Sequence, residues 1–200
     1  MPEDAEQTLR RIVERTHAAL LAATRDHSSA NGKLSERFQG CCGLAQCIAG
    51  YALQDAGITV RPIATQSLAD YWHGHAALGV EVVDASGSRW FLVDPTFCQF
   101  SGDSTDDTAP SPGYHLRRSE EGERMLDELL TRGYVELTGE KAASYVAAFC
   151  RGERRLKPTE AFEFLTNPPP HPYHFKRDVD CDDFSRENLA RRGLRIALPS

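Results

Sequence analysis

The feature that most constrains this chain is a change of period at Gly57. From Cys42 to Ala56 the apolar residues Leu44, Cys47, Ile48, Tyr51 and Ala52 recur every three to four positions, while Ala45, Ala49 and Ala56 offer small side chains on another side. That spacing predicts a helix buried over most of its surface, and Gly57 is its natural stop. Beyond Gly57 the period falls to two. Ile58–Ala64 is rich in β-branched residues and reads as a strand. Ala76–Val83 alternates, with Ala76, Leu78, Val80 and Val82 on one face, and Arg89–Val93 is aromatic and aliphatic. Between the last two lies Asp84-Ala85-Ser86-Gly87-Ser88, which is turn chemistry. A buried helix followed by an antiparallel hairpin is the core that these residues can build.

The flanks are more helical. Residues 5–24 carry a stripe of Leu9, Ile12, Val13, Ala19, Leu20 and Leu21. Ser119–Arg132 and Lys141–Cys150 read as helices, with weaker ones near Thr159–Leu165 and Asp182–Arg192 and a short strand at Tyr134–Leu137. Loops are expected at 25–37, 101–113 and the proline-rich 167–174, where each proline removes a donor and fixes its backbone. Helices at both ends and a small sheet in the middle give an α+β fold. At 200 residues the chain fits one domain, residues 1–200, with its core at about 38–100 and helical extensions at 1–30 and 115–200.

Composition excludes some functions. The net charge of −6 argues against a surface that tracks phosphates, so no nucleic-acid partner is expected. No apolar run approaches the roughly 20 residues needed to cross a bilayer, and the charged N-terminus lacks a signal core. Synthesis in a reducing cytoplasm is the expectation, with the six cysteines as thiols rather than a disulfide scaffold.

Those cysteines hold the chemical information. They stand at 41, 42, 47, 98, 150 and 181. A zinc site usually shows paired ligands such as Cys-x2-Cys, and there is none; a cluster of Cys41, Cys42 and Cys47 with His73 and His75 is a weaker alternative, and a vicinal Cys41–Cys42 disulfide weaker again. Neither a metal nor a cofactor is expected. Packing suffices for Cys47, Cys98 and Cys150, since a free cysteine behaves as a small hydrophobe. Cys41 and Cys42 differ because they lie at a helix start, where unpaired N–H groups and the helix dipole favour thiolate and can hold an oxyanion.

A base and an orienting group follow in order. His75 opens one strand of the hairpin and Asp94 closes the other. Pairing the two symmetrically puts the midpoint near Asp84 and Ala85, a little before the turn residues centred on Ser86, which calls for a bulge or an asymmetric loop. An aspartate in hydrogen-bond reach of the imidazole would fix its tautomer and leave the other nitrogen to a thiol.

Four short motifs in sequence carry a resemblance: Gly40-Cys41-Cys42, then Gly57-Ile58-Thr59-Val60-Arg61, then His75-Ala76, then Asp94-Pro95-Thr96. In this order the chain resembles the transglutaminase-like branch of the papain-like cysteine enzymes over about residues 38–98. The family's Gly-x-Cys places the nucleophile at Cys42 rather than Cys41. The resemblance implies Cys42 as nucleophile, His75 as general base and acid, and Asp94 as the residue that orients the imidazole. The amides around Cys42 and Gly43 would hold the oxyanion, Gln39 could assist, and Trp72 could line the acyl channel. The family has an aromatic residue after its His-Ala where this chain has Ala77, and the tail Phe97-Cys98-Gln99-Phe100 is similar to bacterial effector members that deamidate glutamine or cleave peptides. The expected function is acyl transfer through a thioester, with hydrolysis of an amide in a protein or peptide as the first reading and delivery of the protein into another cell a compatible setting. Transfer of an acyl group to an amine, or its release or cyclisation from a carrier protein in biosynthesis, is the second. A third is a non-catalytic binding module on the same fold.

Overall fold

The computed structural model describes residues 4–23, 38, 41–64, 76–100, 120–139, 141 and 186–196. Their elements run α1 (Ala5–Ala23), α2 (Cys42–Asp55), β1 (Thr59–Ala64), β2 (Ala76–Asp84), β3 (Gly87–Val93), a single 3-10 turn (Phe97–Phe100), α3 (Glu120–Arg132), β4 (Tyr134–Glu136) and α4 (Arg186–Arg191). The four strands form one antiparallel sheet in the order β1-β2-β3-β4. The fold is therefore α+β, a mix of helices with a small antiparallel sheet. Among the described residues no helix is long and apolar enough to cross a membrane.

Helix α2 is the centre of the core. Leu44, Ala45, Cys47, Ile48, Ala49, Ala52 and Leu53 are buried along it, and it packs on α1, β1 and β2. Its end is set by backbone geometry. Gly57 takes φ +75°, Ile58 N–H donates to Leu53 O at 2.9 Å, and Gly57 N–H donates to Gln54 O at 2.9 Å. This pair of bonds is the Schellman closure, in which glycine at a left-handed position satisfies the orphan carbonyls and turns the chain into the next strand. The C-terminal helix α4 ends in the same way at Gly193, with Leu194 buried behind it.

The stripe of α1 is Leu9, Ile12, Val13, Thr16 and Leu20. Thr16 was not among the expected core residues. Its hydroxyl donates to Ile12 O at 2.8 Å within the helix, so its methyl faces the core without an unsatisfied polar atom. Pro62 is tolerated in β1 because β1 is an edge strand among the described residues.

The β2–β3 hairpin departs from expectation. No bulge is present: pairing runs without interruption from Leu78↔Val93 to Asp84↔Gly87, and only Ala85 and Ser86 form the loop. Nor does alternation persist along β2. It holds in the half near the turn, but Ala76, Ala77, Leu78, Gly79 and Val80 are all buried. β3 shows the same gradient, exposed at Gly87 and Ser88 and buried at Phe91, Leu92 and Val93. Sequence alternation reports one covered face, whereas here the root of the hairpin is covered on both. The expected loops at 25–37, 101–113 and 167–174, the helix at Thr159–Leu165 and all of the Lys141–Cys150 helix but Lys141 fall outside the described residues.

Candidate active site

Phe38 and His17 fix how the chain enters α2. Phe38 is completely buried, its ring meets the His17 ring edge-on at 5.0 Å, and its carbonyl accepts from Cys41 N–H at 3.0 Å. Cys41 is the N-cap and Cys42 the first helical residue. The Cys41 side chain makes no capping hydrogen bond to the helix start. An α-helix leaves its first N–H groups without intrahelical acceptors, so the positive end of the α2 dipole lies at Cys42 and Gly43.

The described thiols are not equivalent. Burial pushes the Cys41 thiol above its ordinary range, and charge on the adjacent Cys42 pushes it further. Cys47 is buried in the core. Cys98 is held at about 12 by burial and by the nearby Asp94 carboxylate, so it is a neutral thiol at physiological pH. Both findings agree with packing roles for Cys47 and Cys98; Cys150 lies outside the described residues.

Gln46 ties this helix start to the sheet. It sits one turn beyond Cys42, is 5 % exposed, and donates from Nε2 to Ala77 O at 2.6 Å. The i, i+4 spacing puts Cys42 and Gln46 on the same side of α2, so the helix end that carries the thiol is the end fastened to the root of β2. Its signal in the sequence is one amide inside the otherwise apolar stretch Leu44–Leu53.

Asp94 stands at the matching end of β3. It follows Val93, which pairs with Leu78, so it lies across from Ala77 in the register. Its side chain is fully buried. Oδ1 accepts from Thr96 N–H at 3.2 Å and from Thr96 Oγ1 at 3.1 Å, and Thr96 is itself fully buried. The backbone is held as firmly. Asp94 N–H donates to Gly133 O at 2.8 Å, and Asp94 O accepts from Phe97 N–H at 3.2 Å. Gly133 takes φ +70°, and a Cβ built on it would come 2.8 Å from Val13 Cγ1 and 3.4 Å from Pro95 Cα. Only glycine fits there, so Gly133 is a second support that sequence reasoning missed.

The structure thus fastens the α2 start, which carries Cys42 and Gly43, to the root of β2 through Gln46, and sets Asp94 at the end of β3 across from Ala77 in the register. His75, Gln39 and Trp72 lie outside the described residues. Arg61, the last residue of the Gly-Ile-x-x-Arg motif, is on β1 with its guanidinium 5.5 Å from the Trp90 ring centroid on β3. Arg61 pairs with Gly79 on the intervening strand, and the missing side chain at Gly79 leaves the space this reach requires. Among the described residues no group of three or more His, Cys, Asp or Glu side chains is placed to hold a metal ion.

Comparison of the chain with protein-family models, with curated proteins and with solved structures finds no match.

Proposed function

We propose that this chain is a cysteine-dependent acyl-transfer enzyme with a papain-like, transglutaminase-like core, and that its reaction is hydrolysis of an amide in a protein or peptide. The observation that carries this reading is the Gln46–Ala77 bond of 2.6 Å, which fastens the helix start bearing Cys42 to the strand root facing the buried Asp94. His75 immediately precedes β2 in the chain and is the natural partner for both.

The steps follow from these residues. His75 takes the Cys42 proton, and the thiolate adds to the carbonyl carbon of the bound amide. The negative charge on that oxygen is held by the N–H groups of the α2 start, for which Cys41 offers no competing cap. His75 returns its proton to the leaving nitrogen as the C–N bond breaks, which leaves a thioester on Cys42 and frees an amine or ammonia. The same imidazole then takes a proton from water. Hydroxide adds to the thioester, and the carboxylic acid departs as the Cys42 sulfur leaves. Asp94 holds the imidazole in the tautomer this sequence requires.

The test needs no natural substrate. Incubation with p-nitrophenyl acetate, followed by intact and peptide mass analysis, should place an acetyl group on Cys42. Cys42→Ala should lose it, whereas Cys41→Ala should keep most of it. Acetylation that persists in Cys42→Ala and vanishes in Cys41→Ala would move the nucleophile by one residue. Acetylation of neither thiol would favour the non-catalytic binding module.

A further inference from the structure

Behind Asp94, on the side formed by α1 and the end of α3, there is a cavity of 280 Å³ lined by Val13, Glu14, His17, Pro95, Cys98 and the segment Leu129–Gly133. Its body is apolar, with Val13 and Leu129 almost fully buried and Pro95, Cys98 and Leu130 completing the wall. Two of its lining residues are charged and exposed, the Glu14 carboxylate on α1 and the Arg132 guanidinium at the end of α3. His17 lines the same space with its Nδ1 3.3 Å from Pro95 O.

We propose that this cavity binds a small zwitterion with an apolar side chain, a free aliphatic α-amino acid. The size fits one such molecule, because 280 Å³ falls just below the range of about 300–1,000 Å³ that holds drug-sized ligands. The charges fit as well. An ammonium would meet Glu14 and a carboxylate would meet Arg132, while the side chain enters the space between Val13, Leu130 and Pro95. Glu14 has a competing partner in Arg10 at 4.0 Å, but both side chains are more than half exposed, at 57 % and 68 %. Such a pair holds its members weakly. The site is separate from the proposed thiol chemistry and does not depend on it.

The walls add a consequence. Gly133 and Pro95 line the cavity and also fix Asp94, through the Gly133 carbonyl and the chain itself. A ligand bound there stabilises the folded state by mass action, so the melting temperature becomes dependent on ligand concentration.

L-Leucine is the probe, titrated into the full chain by calorimetry and by thermal shift. L-Leucine should bind and raise the melting temperature. Glycine should bind at least tenfold more weakly, because it lacks the side chain that fills the apolar body. Isovalerate and isoamylamine, each with one charge, should bind more weakly than leucine by roughly two- to fivefold per lost contact. Arg132→Gln and Glu14→Gln change exposed residues and should reproduce these losses with unchanged melting temperature in the absence of ligand. Leu130→Trp should block the cavity and abolish binding. No leucine binding to the wild-type chain, or binding that Leu130→Trp leaves intact, would overturn the proposal. So would equal binding of leucine and glycine.

Discussion

The two ends of the β2–β3 hairpin carry the same local device in opposite surroundings. At the tip, Asp84 accepts from Ser86 N–H at 2.7 Å and from the Ser86 hydroxyl. At the root, Asp94 accepts from Thr96 N–H and the Thr96 hydroxyl. Both are Asp-x-Ser/Thr turns, in which a short carboxylate bonds its own backbone two residues on. The tip turn lies in water and is joined by Arg89, which reaches Asp84 at 2.8 Å, Glu6 at 3.0 Å and Glu136 at 3.5 Å. The root turn is sealed, with Asp94 and Thr96 both at 0 % exposure. Local sequence specifies the turn, but only the fold around it decides whether the carboxylate is a surface fastener or a buried group held in one orientation. Burying a carboxylate carries a desolvation cost that a mere turn does not require, which is why the root, and not the tip, is the place to look for chemistry.

The sharpest way to break this contrast is to make the same change at both ends. Asp94→Asn should lower the rate of Cys42 acylation by about 10³- to 10⁴-fold, the scale on which a wrongly held imidazole is penalised. Asp84→Asn should leave that rate unchanged. Equal effects at the two positions would mean that the root has no special role.

Gly133→Ala comes next. A left-handed φ costs a residue with a Cβ about 1–2 kcal/mol, and the 2.8 Å approach to Val13 Cγ1 adds an overpacking penalty of about 1–3 kcal/mol. Chemical denaturation should show a loss of at least ~2 kcal/mol. The equivalent change at Gly57, where nothing lies within 4 Å, should cost only the backbone part.

Gln46→Leu should destabilise by about 0.5–1.5 kcal/mol, because it removes a buried hydrogen bond to the Ala77 carbonyl. It should also slow acylation of Cys42 by more than a core change of equal cost, once rates are compared on fully folded protein. Equal slowing would reduce Gln46 to a packing residue.

The smallest effect belongs to the tip. Hydrogen bonds from Ser86, and then from Arg89, hold the Asp84 carboxyl at about 2. A depressed carboxylate stabilises the fold above its unfolded pKa of ~3.9 and loses that contribution as pH falls toward 2. The difference in denaturation midpoint between wild type and Asp84→Asn should therefore be steady above about pH 4 and shrink toward pH 2. A difference that grows on acidification would contradict the sign.

What could be read from the sequence was what is local. The period of three to four from Leu44 to Ala52 located α2, Gly57 marked its end, and the alternation and turn residues located the hairpin. The missed supports are contacts between distant segments: Gln46 bonds a carbonyl 31 residues away, and Gly133 packs on Val13 and Pro95. No local period encodes such meetings. The bulge was expected for a related reason. Symmetric pairing of positions 75 and 94 puts the turn near Asp84 and Ala85, whereas the strands pair through a two-residue turn at Ala85 and Ser86 that sets Asp94 across from Ala77.

The central claim is that one thiol, at the start of α2, is set apart from its neighbours by the fold, and alkylation measures this without any substrate. The native protein is treated with limiting iodoacetamide at pH 6, quenched over time and mapped by peptide mass analysis. Cys42 should be modified first and selectively, with Cys41 and Cys98 slow because burial keeps both protonated. Uniformly slow labelling of Cys41, Cys42 and Cys98 at one common rate would contradict the account.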